Sequence, residues 1–237
     1  MVAMPHAATS PFAIPRTRGV IPTAAGLLVA GALFVIYPAL RPFSDEVSLE
    51  GARAFASTQW VWAHTAAMIG FLVLSLSLFG VAVRLRGTRG EAAARWGAIL
   101  GAVGIGLTLP YYGAEVFGLH AVGQAVVERG DVSLMSITDS IRWEAGIWFI
   151  LVGLAVLGVG VALTAAAIWR SGRLARWSGI PLAVAFALFI PQFGTPQPVR
   201  VAHGVLIAVG CVLVARALLR EAYMGEDAAG APGTARR

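Results

Sequence analysis

QWVWAHTAAMIGFLVLSLSLFGVAV, residues 59–83, runs for 25 residues with His64 as its only ionisable side chain. Wound as a helix rising about 1.5 Å per residue, it exceeds the ~30 Å hydrocarbon core of a bilayer, which needs about 20 apolar residues. Five more stretches read alike: Val20–Leu40, Trp96–His120, Trp143–Trp169, Trp177–Phe193 and Val201–Leu219. The shortest, Trp177–Phe193, holds Pro181 and Pro191 near its ends, so its limits are the least defined. The expected fold is therefore all-α: a polytopic membrane protein of six transmembrane helices in one bundle.

Composition agrees. The 237 residues are 58% hydrophobic and only 13% charged, with a mean hydropathy of +0.77. Soluble domains are about a quarter charged, so this chain lacks the polar surface to cover a water-soluble globule. Disordered, collagen-like and disulfide-rich classes fit no better. The single Cys211 lies in an apolar run, where packing is its expected role.

All 18 basic residues are Arg, and there is no Lys or Asn. That bias suits a GC-rich bacterial genome. The net charge of +6 is spread over short loops, which argues for topology signals and anionic lipid contacts and against nucleic acid. Arg16, Arg18, Arg84, Arg86, Arg89, Arg95, Arg170, Arg173, Arg176, Arg216 and Arg220 fall on one side. Only Arg41, Arg53, Arg129, Arg142 and Arg200 fall on the other. The excess predicts that both termini are cytoplasmic, in a bacterial cell membrane. Residues 1–19 then form a cytoplasmic tail rather than a cleaved signal peptide, 20–220 the membrane domain, and 221–237 a disordered cytoplasmic tail.

Trp60, Trp62, Trp143 and Trp148 near the outer boundary, with Trp96, Trp169 and Trp177 near the inner one, read as an aromatic belt. Ser44, Asp45 and Glu46 suggest the cap of a short interfacial helix, and 121–142 an external loop. Gly97 and Gly101, with Gly104, Gly106, Gly158 and Gly160, offer close helix approach.

Ionisable side chains inside spans are costly and mark candidate chemistry. His64 lies 20 residues from Arg84 and Glu115 lies 20 from Arg95, so both stand about 30 Å above the basic side. His203, 17 residues from Arg220, stands at about 26 Å. Tyr111 and Tyr112 sit one turn below Glu115. The expectation is an outer-leaflet pocket with Glu115, His64 and Tyr112 as catalytic groups acting on a hydrophobic lipid or isoprenoid. His64, Glu115 and His203 would be ligands if a divalent metal binds. His64 and His203 would be the axial pair in a less favoured haem-binding redox protein. A small proton-coupled transporter is the other alternative. His120 with Gln124, and Asp139 with Arg142 and Glu144, read as solvated surface groups. A P-loop, a Rossmann glycine pattern, a GxSxG elbow and a CxxC pair are all missing from the sequence, so nucleotide hydrolysis, hydride transfer and thiol chemistry have no support.

Overall fold

The computed structural model describes residues 16–230, which are helical with no strand among them. The long helices are α1 (Arg16–Leu40), α3 (Thr58–Arg84), α4 (Glu91–Gly113), α7 (Gly146–Ser171) and α9 (Gln197–Gly230). Shorter pieces are α2 (Leu49–Ala56), α5 (Leu119–Arg129), α6 (Ile137–Trp143) and α8 (Ile180–Ala187). Five helical runs are long and apolar enough to cross a membrane. One of them, Glu91–Arg129, joins α4 to α5 through a wide π turn at Ala114–Gly118.

The long helices pack antiparallel through small residues. A Cβ on Gly160 of α7 would lie 2.5 Å from the Gly101 nitrogen of α4, and one on Gly97 would lie 2.8 Å from the Gly160 carbonyl. Only glycine allows backbones this close, which is how helices associate where lipid removes the hydrophobic drive. Gly106 has open space around its Cβ position and takes no part in this seam, and Gly158 only approaches the Phe186 carbonyl. Along α1, the buried positions Val20, Ala24, Leu27, Ala30 and Phe34 recur at three- and four-residue spacing. They form the helix's inward stripe. Phe34 meets Phe71, Phe186 and Phe189 edge-on at 4.9–6.2 Å between ring centres. Each such pair contributes about 0.5–1.5 kcal/mol beyond its burial. Cys211 is buried in the same core.

The expected fifth span is not a continuous helix. Trp177–Phe193 becomes a turn, the eight-residue α8, a further turn and a 3-10 segment at Pro191–Gly194. Pro181 sits in the first turn of α8, and Pro191 and Pro196 lack the N–H needed to extend it. The segment nonetheless travels the depth of the bundle. At its start Arg173 donates to the carbonyls of Arg84 and Arg86; past its end Gln197 Nε2 donates to the Pro38 carbonyl. Residues 19 and 221 therefore lie at one end of the bundle, where Arg84 pairs with Glu221.

The opposite end carries the site. Here α2 packs on α5, and a separate small core of Phe55, Trp60, Leu119, Val126 and Met135 fills the elbow. Residues 121–142, expected as a loop, are α5, a 3-10 turn (Val132–Ser136) and α6, with Gly130 in the left-handed region ending α5. The expected short helix exists but starts later than expected. Ser48, not Ser44, caps α2 by accepting from the Glu50 amide, while Asp45 accepts from the Val47 and Ser48 amides. The last helix continues past residue 221 to Gly230, where a disordered tail was expected; residues 1–15 and 231–237, the rest of the two expected tails, lie outside the described part. Trp62, Trp96, Trp143, Trp148, Trp169 and Trp177 are exposed as a belt requires, but Trp60 is wholly buried.

Candidate functional site

Glu115 stands in the π turn, five residues after Pro110. A π turn breaks the regular bonding ladder of a helix and is frequent at functional positions. The Glu115 carbonyl accepts a 2.7 Å hydrogen bond from Trp60 Nε1, which ties α3 to the turn. This explains why Trp60 is buried rather than at a lipid interface: its single N–H has a partner inside.

The Glu115 carboxylate lies between two elements, α6 and α3. Arg142 of α6 donates to both of its oxygens, from Nε at 2.7 Å and from Nη2 at 3.1 Å. Arg142 Nη1 donates to Glu46 at 2.7 Å, and Arg41 Nη2 donates to the other Glu46 oxygen at 2.6 Å. On the far side, His64 Nε2 lies 3.6 Å from Glu115 Oε2. The result is one chain of groups, Arg41–Glu46–Arg142–Glu115–His64, drawn from the loop after α1 (Arg41 and Glu46), α6, the π turn and α3.

His64 has a defined orientation. Its Nδ1 is 2.9 Å from the Trp60 carbonyl, which can only accept, so Nδ1 carries a proton. Nε2 is then left facing a carboxylate at a distance too long for a hydrogen bond. A proton donor placed between the two would satisfy both. His64 also lies against Trp60, with ring centres 4.1 Å apart and planes tilted by 39°, and meets Tyr37 edge-on at 5.2 Å.

Outside the spans, Glu46 is held below the usual glutamate range. Burial pushes its carboxyl upward, but the guanidiniums of Arg41 and Arg142 pull it further down. Arg142 is shifted up: burial opposes its charge, and the carboxylates of Glu115 and Glu46 outweigh that. Glu46 also has a φ of 60°, unusual for a residue with a side chain, and its backbone is pressed onto Gly51. A Cβ at Gly51 would lie 2.7 Å from Glu46 Cα. A strained backbone at the centre of an ion network points to a functional position.

These groups wall a cavity of about 360 Å³. Tyr37, Tyr111, Tyr112, Ile147 and Ile150 line its deeper part, and Phe43, Ser44, Asp45 and Trp143 its rim. This volume lies in the range of small-molecule sites, and the mix of apolar wall with a few convergent polar groups is their usual composition.

Of the sequence-derived residues, His64, Glu115 and Tyr112 are brought to one cavity. His203 is not. Its Nε2 bonds the Ala185 carbonyl at 2.8 Å, and its ring packs on Phe189. Ala185 stands in the last turn of α8, where the helix stops and a longer helix would have used that carbonyl for its own ladder. Among the described residues no group of three His, Cys, Asp or Glu side chains forms a metal-sized cluster, so the grouping of His64, Glu115 and His203 as ligands is corrected. The axial pairing of His64 with His203 is corrected too: a packed run of rings, Tyr112, Phe71 and Phe189, links the one to the other. His120 is no solvated pair with Gln124; its Nδ1 bonds the Phe55 carbonyl at 2.8 Å and pins α5 to α2. Arg142 likewise turns inward, leaving Asp139 and Glu144 exposed.

Arg41, Glu46, Arg142 and Trp60 are the site residues that sequence reasoning missed. The available signal was charge balance: acids gather on the side where arginines are fewest, so those arginines had partners close by. No protein-family model matches the chain, and no curated protein or solved structure matches it either. The chemistry of the site is therefore read from its own side chains.

Proposed function

We propose that the chain is a multi-pass membrane protein whose outward-facing cavity binds a small amphiphile, on which His64 acts as a base. The observation that carries this is the His64–Glu115 edge at 3.6 Å, two proton-accepting groups side by side on the wall of a cavity. A substrate hydroxyl or other protic group entering there would give its proton to Nε2, while the Trp60 carbonyl holds the ring in the required tautomer. Glu115, with both oxygens occupied by Arg142, orients and balances the imidazolium rather than donating a proton. Tyr112 and Tyr111 shape the apolar wall. A lipid or isoprenoid with a short polar end is the substrate class that suits such a lining.

The topology proposed alongside is six crossings of a bacterial cell membrane, the fifth being the irregular segment around α8. Support comes from the basic residues at the end holding residues 19 and 221: by the positive-inside rule that end would face the cytoplasm and the cavity the outside. A second reading, proton-coupled transport, draws on the same broken segment, since discontinuous helices are a common element of transporters.

Organic extraction of the purified protein, followed by mass spectrometry, tests the proposal. Wild type is expected to carry one amphiphile class at near-stoichiometric amount, and Ile150→Trp, which fills the cavity, to lack it. Incubated with that amphiphile, His64→Gln should bind it without converting it. Identical lipid profiles in wild type and Ile150→Trp would overturn the cavity's role; conversion by His64→Gln would overturn the assignment of the base.

A further inference from the structure

One corner of the cavity has more cation than the ion network neutralises. Arg142 and Arg41 are paired with Glu115 and Glu46, but no carboxylate pairs with Arg200 among the described residues. Arg200 donates instead to the carbonyls of Thr195 and Phe193. Arg41, though nearly inaccessible, has a buried Nε with no hydrogen-bond partner among the described residues. Both guanidiniums lie over the same ring: Phe43 has Arg41 at 4.7 Å and Arg200 at 5.1 Å from its centre. Two like charges that share one aromatic ring repel each other, and an anion between them removes that cost. Asp45, exposed at the rim, forms no ion pair with Arg41 or Arg200 among the described residues; its Oδ1 accepts from the Val47 and Ser48 amides.

Resting on the amphiphile cavity proposed above, we infer that the Arg41–Phe43–Arg200 corner takes the oxyanion head, phosphate or carboxylate, of an anionic amphiphile. Guanidinium forks match the geometry of such heads. Phe193, which lines the cavity and accepts from Arg200 through its carbonyl, supplies apolar surface next to the head. The corner lies at the end where the chain leaves α1 and enters α9, so a head seated there would stand at headgroup level with its tail among Ile147 and Ile150.

The test is a binding titration of the full chain in neutral detergent with lysophosphatidic acid, the uncharged monoacylglycerol of the same acyl chain, and inorganic phosphate. Lysophosphatidic acid is expected to bind at least tenfold tighter than the monoacylglycerol. Arg200→Gln should erase that preference and Arg200→Lys, which keeps the charge but not the fork, should retain only part of it. Inorganic phosphate is expected to bind at least a hundredfold more weakly than lysophosphatidic acid; equal affinity would keep the oxyanion corner and make free anion its source. Equal binding of lysophosphatidic acid and the uncharged monoacylglycerol, abolished by Ile150→Trp, would overturn the oxyanion corner and leave the cavity standing. Binding of neither lipid nor phosphate would overturn both.

Discussion

Arg142 clasps Glu115 with two parallel donors, at 2.7 and 3.1 Å, although 27 residues separate them. Through its third nitrogen it also holds Glu46, so one guanidinium joins the π turn to the loop after α1. Buried ion pairs rarely improve on apolar packing, because desolvating two charges costs several kcal/mol each. A chain of four charges and an imidazole on a cavity wall is therefore better understood as chemistry than as scaffold.

Trp60 provides the link between that network and α3. Trp60→Phe keeps the packing and removes the donor to the Glu115 carbonyl. The expected loss is about 1 kcal/mol, with more if the carbonyl stays unsatisfied. Thermal unfolding in detergent would register it, and an unchanged midpoint would show that the hydrogen bond contributes nothing.

Glu46 gives the network a pH dependence of known sign. Its folded carboxyl titrates below its unfolded value, because Arg41 and Arg142 outweigh the effect of burial. The ionised form therefore stabilises the fold at any pH above the unfolded glutamate value of about 4.3 and is lost as pH falls through the lower folded one. The unfolding midpoint should drop between pH 6 and pH 3, and Glu46→Gln should start lower and drop less. Parallel curves for the two proteins would rule Glu46 out as a source.

Topology can be read by labelling, since Cys211 is buried and leaves a silent background. Val47→Cys, at a position 69% exposed beside the cavity rim, should react with an impermeant maleimide on intact cells. Arg89→Cys, between α3 and α4 at the other end, should react only after permeabilisation. The opposite pattern would invert the proposed orientation.

Much of the architecture was legible because hydropathy and length fix where a helix can cross. Counting residues from the basic ends also placed His64 and Glu115 at one height. Helix continuity was not legible at Trp177–Phe193, where apolar composition is satisfied equally by α8 and its flanking turns. Arg142 was misplaced for a different reason. Its inward turn depends on α6 folding back after Gly130, a tertiary event with no local signature. Trp60 shows the same limit, since a Trp near the end of an apolar run looks identical whether it meets lipid or a buried carbonyl.

A double-mutant cycle on Glu115 and Arg142 addresses the centre of the site most directly. Glu115→Gln and Arg142→Gln should each cost about 3–5 kcal/mol, by stranding the partner's charge in a buried place. The double variant should cost much less than the sum, with a coupling of at least about 1.5 kcal/mol. Additive losses would mean that the two side chains do not meet, and the cavity wall described here would not exist.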